Sequence, residues 1–172
     1  MRILEVRRHS MRQKPGVHLT QEGVRLARRV GESMGKFNLV VTSTLERTIE
    51  TAIAMGFAVD EQRKSFSTIP DDALTGLFYP APFIYLVEQV QYRESLAQWA
   101  RGHVSEWYDI VRSVPEGGAA LIISHGIMIE VGTGILMPDV DYSTWGRELG
   151  FCEGVRFSFE NGKFLSIECL RV

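Results

Sequence analysis

Two hydrophobic patterns alternate along most of the chain, one typical of strands and one typical of helices. Short, nearly continuous apolar runs predict strands that are buried on both faces of a parallel sheet. These runs occupy residues 3–6, 39–41 and 119–123. A further short strand is predicted over 66–69, where Pro70 stops it. Apolar runs at 155–159 and 164–167 flank Asn161-Gly162, a pair typical of a two-residue hairpin turn.

Between these runs, apolar residues recur every three to four positions, as on the buried face of a helix. Thr20 predicts the N-terminal cap of one such helix, and Gly35 predicts its end. Ser43 and Glu46 fit a capping box at the start of a second helix. Two more helices are predicted over 96–114 and after Gly126. This alternation predicts a single α/β domain with a mostly parallel central sheet.

One segment, residues 77–92, departs from the alternation because five aromatic residues cluster there around two prolines. They are Phe78, Tyr79, Phe83, Tyr85 and Tyr92. Prolines stiffen a connection, and aromatic rings contribute a large contact area at little rotamer entropy. We therefore predict that the single domain over 1–172 carries an aromatic-rich insert that forms a wall over a substrate pocket. The alternative is that the rings pack into the core or a dimer interface.

Composition and charge exclude several classes of protein. The 172 residues are 45% hydrophobic and 23% charged, which is ordinary for a globular domain. Nineteen Lys and Arg against 21 Asp and Glu give a net charge of −2, so no nucleic-acid or membrane partner is expected. Glu5 interrupts the stretch where a signal peptide needs its apolar run. Two cysteines without CxxC spacing make no disulfide framework, so we expect a cytoplasmic protein. The sequence does not predict an oligomeric state.

Arginine, histidine and hydroxyl-bearing residues follow three of the predicted strands. The first strand leads into Arg8-His9-Ser10, the second into Thr42-Ser43 with Arg47 beyond, and the 119–123 strand into Ser124-His125-Gly126. Ligands of open parallel sheets bind outside the carboxyl ends of the strands, so we expect these side chains to converge if the strands are neighbours. Two arginines in one small volume repel each other unless an anion lies between them, and guanidinium groups suit phosphate oxygens.

Arg47 strengthens the case for an anion because it lies in the first turn of its helix, where the macrodipole disfavours a cation. An anion shared by that helix N-terminus and Arg47 would explain the placement. The alternative is a weak surface ion pair with Glu46, Glu50 or another surface carboxylate.

The histidines allow more than one interpretation. A metal site is the competing use of His9 and His125, but no HxxxH or HxH spacing supplies a local ligand pair. His18 lies in a loop from which it can reach the same rim, or it is simply solvated. His103 is predicted to lie on the surface of its helix.

Four motifs resemble those of the histidine phosphatase superfamily, which includes the cofactor-dependent phosphoglycerate mutases. Arg8-His9-Ser10 resembles the family's Arg-His-Gly signature, and Leu19-Thr20-x-x-Gly23 resembles its Leu-Thr-x-x-Gly helix start. Residues 42–52 are similar to its Ser-x-Leu-x-Arg-x-x-x-Thr-Ala stretch, and 122–126 resemble its second-histidine motif. The four motifs follow the family's order.

The resemblance implies a phosphoglycerate mutase-like fold with three αβα layers. It also implies a phosphatase that needs no metal and no cofactor and hydrolyses phosphomonoesters, of a small metabolite or a phosphoprotein, through a phosphohistidine. His9 would be the nucleophile. Arg8, Arg47 and His125 would bind the phosphoryl oxygens. Ser10 replaces the family's glycine, and its hydroxymethyl group would either clash at the site or donate a hydrogen bond to phosphate.

The resemblance also implies an acid that protonates the leaving oxygen. The family often uses a Glu four residues before a Gly in the loop after its third strand. Asp72 and Gly76 have that spacing with the shorter Asp, and Asp71 and Glu88 are the alternatives. The other interpretation of Asp71 and Asp72 is a solvated turn after Pro70.

Two other functions stay open. A phosphomutase would shield the phosphohistidine from water, and it normally carries more chain around the site than 172 residues provide. A non-catalytic phosphate-binding module would follow if Ser10 and a missing acid had silenced the chemistry. Release of phosphate from p-nitrophenyl phosphate in EDTA separates an enzyme from such a module.

Overall fold

Six strands form one central sheet in the computed structural model, which describes residues 1–172. The strands are β1 (Arg2–Arg8), β2 (Leu39–Ser43), β3 (Glu61–Arg63), β4 (Ala119–Ser124), β5 (Gly154–Glu160) and β6 (Lys163–Leu170). Their order across the sheet is β3-β2-β4-β1-β5-β6. The first four strands in this order pair in parallel, whereas β5 is antiparallel to both β1 and β6. Only β5 therefore runs against the common direction.

Helices cover both faces of this sheet. They are α1 (Gln21–Gly31), α2 (Glu46–Ala54), α3 (Asp71–Leu74), α4 (Phe83–Tyr92), α5 (Glu94–Ser113) and α6 (Met128–Leu136). On one face, α1 and α2 bury Ala27 and Ala52 in an apolar cluster. On the other, α4, α5 and α6 contribute Phe83, Trp107 and Ile129 to a larger one. The predicted α/β fold, with three αβα layers around a mostly parallel sheet, is confirmed.

Strand β4 shows how the sequence pattern produces these two cores. Leu121 and Ile123 belong to the cluster under α1 and α2, whereas Ile122 belongs to the cluster under α4, α5 and α6. Successive side chains of a strand point to opposite faces, so a continuous apolar run can fill both cores. The strand lies between β2 and β1, and its carboxyl end therefore opens at the middle of the sheet edge.

The first helix and the terminal hairpin agree largely with expectation. Thr20 caps α1, because its hydroxyl accepts a hydrogen bond from the Gly23 amide at 2.9 Å. The helix ends at Gly31 rather than near Gly35, because the amides of Ser33 and Met34 bond to the carbonyls of Val30 and Gly31 in tighter turns. The Asn161-Gly162 hairpin is confirmed, with positive φ at both residues.

Two local predictions are wrong for physical reasons. Ser43 is the last residue of β2, and Leu45 occupies the N-cap of α2 without a side-chain hydrogen bond. The Ser43 hydroxyl instead lies 2.8 Å from that of Thr48, so the capping box does not form. The strand expected over 66–69 is also absent there. A short 3₁₀ helix covers Lys64–Phe66, and the edge strand precedes it at β3, whose polar sequence carries no strand signal.

The aromatic segment 77–92 divides into two parts. Its second half forms α4, which buries Phe83 in the core. Its first half stays irregular and carries Phe78 and Tyr79, which are 73% and 39% exposed. Phe83 therefore packs in the core, whereas Phe78, Tyr79 and Tyr92 are exposed. Neither a wall over the pocket nor core packing alone describes all five aromatic residues.

His103 was expected on the surface and is buried instead. Its ring stacks on Trp99 at 4.8 Å between centroids and contacts Phe66 and Trp107 edge-on. These aromatic neighbours enclose a polar residue that hydrophobic periodicity assigns to the solvent face. No helix of the chain is long and apolar enough to cross a membrane.

Candidate active site

The carboxyl ends of β1, β2 and β4 meet at one edge of the sheet, where a cleft of about 190 Å³ opens. The parallel register places Arg8 of β1 opposite Ser124 of β4, so His9 and His125 follow at the same level. The cleft is lined by Arg8, His9, Arg12, Lys14, Arg47, Tyr79, His125, Gly126 and Phe151. The predicted convergence of two arginines and two histidines is therefore observed.

His9 is held as a neutral imidazole with one nitrogen free. Its Nδ1 lies 2.7 Å from the carbonyl oxygen of Ser10, so Nδ1 is the nitrogen that carries the proton and donates. Burial lowers the pKa of His9 to about 3, and the positive Arg47, Arg8 and Arg12 add to the effect against the opposing hydrogen bond to Ser10. The lone pair on Nε2 is consequently available at neutral pH.

His125 is also neutral and lies beside His9. The two ring centroids are 5.2 Å apart at an interplanar angle of 60°. Nε2 of His125 lies 3.0 Å from the Ser43 hydroxyl, which connects the ring to the end of β2. Burial lowers the pKa of His125 to about 2, with smaller contributions from His9, Arg47 and Arg8. An uncharged His125 can therefore interact with a phosphoryl oxygen only as a hydrogen-bonding group.

Arg8 is fixed by a backbone carbonyl and two aromatic rings. Its Nη1 donates to the Leu149 carbonyl at 2.6 Å. Its guanidinium carbon lies 4.8 Å from the centroid of Phe151 and 5.8 Å from that of Tyr79. Its Nε is buried without a hydrogen-bond partner. A donor held in this way is available to an anion at little cost in side-chain entropy.

A buried carboxyl group, that of Glu130, is linked to Arg8 through the backbone of Leu149. Glu130 of α6 is fully buried, and its Oε1 accepts a hydrogen bond from the Leu149 amide at 3.0 Å. Leu149 thus binds Glu130 through its N–H and Arg8 through its C=O. Burial raises the pKa of Glu130.

Arg47 has no carboxylate partner. Its Nε is buried without a hydrogen bond, and burial lowers its pKa, as does the nearby Arg12. Glu50, one of the two proposed surface partners, instead accepts hydrogen bonds from the Leu19 amide and His18. The surface ion pair considered for Arg47 is therefore absent, and His18 lies outside the cleft lining.

All the charged side chains that line the cleft are positive. Arg8, Arg12, Lys14 and Arg47 line it, and no carboxylate does. Cations crowded at one site repel one another, and a phosphate dianion that hydrogen-bonds to several of them relieves the repulsion. Nowhere in the chain are three or more His, Cys, Asp or Glu side chains grouped in a way that could hold a metal ion.

Ser10 lies behind the cleft rather than among its lining residues. It is fully buried, and its hydroxyl donates to the Gly23 carbonyl at 2.7 Å. Its amide donates to the Thr51 hydroxyl at 2.9 Å. The Ser10 side chain, at the position of the glycine in the Arg-His-Gly motif, therefore connects β1 to α1 without a clash.

The three candidate acids also lie outside the cleft lining. Asp71 and Asp72 are exposed in the first turn of the short helix α3. Glu88 is exposed on α4 and lines a different hollow together with Asp141. The site has its cations and its two histidines, but none of the carboxyl groups expected from the sequence.

Sequence reasoning missed several residues that the structure brings to the cleft: Arg12, Lys14, Tyr79 and Phe151. Arg12 and Lys14 follow His9 within a few positions, so their charge next to a predicted anion site was a usable signal. The sequence pattern identifies Tyr79 only as one ring of the aromatic segment 77–92. Phe151 follows the last helix and carries no pattern that links it to the site.

Comparison with known proteins agrees with this geometry. The model of the histidine phosphatase superfamily (branch 1) matches residues 4–74. No curated protein matches the sequence. The motif resemblance is thus confirmed by the family match, which covers the segment that contains Arg8, His9 and Arg47.

Solved structures extend the likeness to the whole fold. Phosphoserine phosphatase from Entamoeba histolytica, in complex with 3-phosphoglyceric acid, has a TM-score of 0.68 at 16% identity, over 100% of this chain and 98% of that one. A mycobacterial glucosyl-3-phosphoglycerate phosphatase has a TM-score of 0.67 at 17% identity, over 99% and 98%. Phosphoglycerate mutase from Bacillus anthracis has a TM-score of 0.65 at 16% identity, over 98% and 92%. At such identities the likeness establishes a phosphoglycerate mutase-like fold.

Proposed function

Because its N-terminal part matches the histidine phosphatase superfamily and its fold is phosphoglycerate mutase-like, we propose that this protein is a phosphoric monoester hydrolase acting through a phosphohistidine. The observation that carries the proposal is the state of His9. Its Nδ1 is bound to a backbone carbonyl, and its ring is neutral inside a cleft that four cations line. A nucleophile for an anionic substrate needs this combination of a free lone pair and surrounding positive charge.

The first half-reaction transfers the phosphoryl group to His9. The Nε2 lone pair attacks phosphorus, and the bond between phosphorus and the ester oxygen breaks. Arg8 and Arg47 hold the phosphoryl oxygens and stabilise their charge as it redistributes in the transition state. His125 contributes a neutral hydrogen bond beside them. The Ser10 carbonyl stabilises the proton on Nδ1 as the ring becomes a cation.

The second half-reaction returns His9 to its starting state. A water molecule attacks the phosphohistidine, and the nitrogen–phosphorus bond breaks with its electron pair returning to Nε2. Inorganic phosphate leaves. Positioned charge performs the task that magnesium performs in kinases, so the proposal includes no metal and no cofactor.

We propose a small phosphorylated metabolite as the substrate class. Two observations support it. The cleft measures only about 190 Å³, and structural neighbours include proteins described as phosphoserine phosphatase and glucosyl-3-phosphoglycerate phosphatase. A phosphoprotein is the alternative, and a panel of phosphorylated metabolites and phosphopeptides separates the two.

Hydrolysis of p-nitrophenyl phosphate in EDTA tests the function. Wild type should release phosphate, and acid-labile, alkali-stable phosphate should be trapped on the protein. His9→Ala should retain less than a few per cent of this turnover and trap no phosphate, with its fold intact by circular dichroism. His18→Ala is the matched control, because His18 is exposed and paired with Glu50 outside the cleft, and it should stay active. More than a few per cent of wild-type turnover in His9→Ala would overturn the mechanism.

A non-catalytic phosphate-binding module is the second candidate, and one observation favours it. None of Asp71, Asp72 and Glu88 lines the cleft, so no carboxylic acid is in place to protonate a leaving group. Tight binding of phosphate or vanadate without any turnover of p-nitrophenyl phosphate would decide for the module.

A further inference from the structure

The proposed phosphatase needs a group that protonates the leaving oxygen. Among the residues that line the cleft, only Tyr79 carries an O–H group. The remaining polar groups there are the side chains of three arginines, one lysine and two neutral histidines. Arginine keeps its proton under all ordinary conditions, and His9 is occupied as the nucleophile. His125 is neutral, and the N–H of a neutral imidazole is a far weaker acid than a phenol. Lys14 is exposed to solvent at the rim of the cleft.

The hydroxyl of Tyr79 lies beside Gly126, another residue of the cleft lining, although Tyr79 belongs to the irregular segment before α4. It lies so close to Gly126 that a Cβ built at that glycine would approach the hydroxyl oxygen to 2.6 Å. The same Cβ would lie 3.3 Å from Nε of Arg8. The Tyr79 hydroxyl, the Arg8 guanidinium and the residue after His125 therefore meet at one point of the cleft wall.

From this geometry we propose that Tyr79 is the general acid of the reaction, in the role that the family resemblance implies for Asp72, Asp71 or Glu88. The proposal rests on the phosphatase function proposed above. It identifies the proton donor of that site.

The proton balance of the two steps is complete with Tyr79. As the phosphorus–oxygen bond breaks, its electron pair stays on the ester oxygen, which takes the Tyr79 proton and leaves as an alcohol. Tyr79 is then a phenolate. In the second step the attacking water gives a proton to that phenolate while its oxygen bonds to phosphorus. Tyr79, His9 and inorganic phosphate result.

The surroundings of Tyr79 suit both states. Burial raises the pKa of the Tyr79 hydroxyl, so the proton is present at neutral pH. Arg8 acts in the opposite direction on that pKa and stabilises the phenolate once the proton has gone. An alkoxide is a stronger base than a phenolate, so transfer to an alkyl leaving group is favourable.

The leaving group provides the test. An alkyl alcohol must be protonated as it departs, whereas p-nitrophenolate is a weak base that leaves without help. Single-turnover release of the leaving group from an alkyl phosphate and from p-nitrophenyl phosphate is measured with excess enzyme. Tyr79→Phe should slow the alkyl ester by about 10²–10⁴-fold and the aryl ester by less than about threefold.

Two variants serve as comparisons. Tyr92→Phe is the matched control, because Tyr92 is 74% exposed at the far end of the same segment, and it should match wild type on both esters. Asp72→Asn tests the rival acid and should also match wild type.

Each other result overturns the assignment. An unchanged rate of the alkyl ester in Tyr79→Phe would remove Tyr79 as the acid, and equal loss on both esters would indicate damage to the cleft instead. A slower release from the alkyl ester alone in Asp72→Asn would identify Asp72 as the general acid. Failure of wild type on both esters would overturn the proposed function itself, and the Tyr79 assignment with it.

Discussion

The Nδ1 atom of His9 lies 2.7 Å from the carbonyl oxygen of Ser10, its own neighbour in the chain. A carbonyl can only accept a hydrogen bond, so this contact sets the tautomer with Nδ1 protonated and Nε2 free. The backbone cannot titrate, and the tautomer therefore does not depend on the ionisation of a partner side chain.

This contact predicts how His9 titrates. Since burial lowers its pKa to about 3, its ring should stay neutral from pH 8 down to pH values well below 6.5. Nitrogen-15 NMR of the labelled histidine rings reports both protonation and tautomer. His18 is an internal control in the same spectra, because its hydrogen bond to Glu50 raises its pKa and it should become charged first. A midpoint for His9 near 6.5 would contradict the buried neutral state.

The cation cluster predicts a shared loss of anion binding. Arg8→Ala and Arg47→Ala should each weaken vanadate binding, and each should cost on the order of 2–4 kcal/mol of transition-state stabilisation, measured as kcat/KM. Phosphate should also raise the melting temperature of wild type more than that of either variant. Arg101→Ala, which removes an exposed arginine paired with Glu94, should bind vanadate like wild type. Equal vanadate binding by wild type and all three variants would show that Arg8 and Arg47 do not bind the anion.

The buried hydroxyl of Ser10 predicts an effect on stability rather than on affinity. Ser10→Gly removes the hydrogen bond to the Gly23 carbonyl, and the free energy of unfolding should fall by about 1 kcal/mol or somewhat more. Turnover and the affinity for phosphate should stay close to wild type. A large loss of phosphate affinity without a loss of stability would instead make the Ser10 hydroxyl a phosphate ligand.

The exposed first half of the aromatic segment predicts an effect on substrate choice. Phe78 precedes the cleft residue Tyr79 and is 73% exposed, so Phe78→Ala should leave stability nearly unchanged. We expect it to raise KM for a large phosphoester and to leave hydrolysis of p-nitrophenyl phosphate unaltered. Tyr92→Ala, similarly exposed but at the other end of the segment, is the control. A change in oligomeric state in Phe78→Ala would assign the ring to an interface.

Acid sensitivity follows from His103. Burial lowers its pKa from 6.5 to about 3, and neither ring nitrogen has a hydrogen-bond partner. Between these two pH values the His103 ring is protonated in the unfolded chain and neutral in the folded chain. Stability therefore falls as pH decreases below about 6.5, by up to about 1.4 kcal/mol per pH unit from this one group.

Replacing His103 isolates that contribution. His103→Phe keeps an aromatic ring among Phe66, Trp99 and Trp107 and removes the titration. Urea unfolding at several pH values should give a shallower acid decline for this variant than for wild type. Identical slopes would show that His103 is charged or solvated in the folded protein.

The sequence predicted the centre of the site because backbone elements determine where its residues lie. Arg8 and His9 lie at the end of one buried strand, His125 follows the neighbouring strand, and Arg47 lies in the first turn of a helix. Strand ends and helix starts are readable from local patterns. Once the strands are adjacent in a parallel sheet, the convergence of these side chains requires no further information.

The cleft wall could not be predicted in the same way. Tyr79 and Phe151 reach the cleft from irregular segments whose path depends on packing against distant elements. His103 was assigned to solvent because periodicity counts a histidine as polar, although Phe66, Trp99 and Trp107 enclose it. The three candidate acids lie outside the cleft lining for a related reason. A family spacing indicated Asp72, but spacing contains no information about which side chain faces the cleft.

The pairing of β1 with β4 has a consequence for biosynthesis. His9 is synthesised early, and His125 becomes its neighbour only when β4 has paired with β1, after more than half of the chain has been made. A nascent chain stalled before residue 119 thus contains His9, Arg8 and Arg47 without the strand that separates β1 from β2. The complete anion site should therefore arise only after β4 has been made and lies between β1 and β2. We therefore expect phosphate to stabilise the full chain more than a fragment that ends before residue 119.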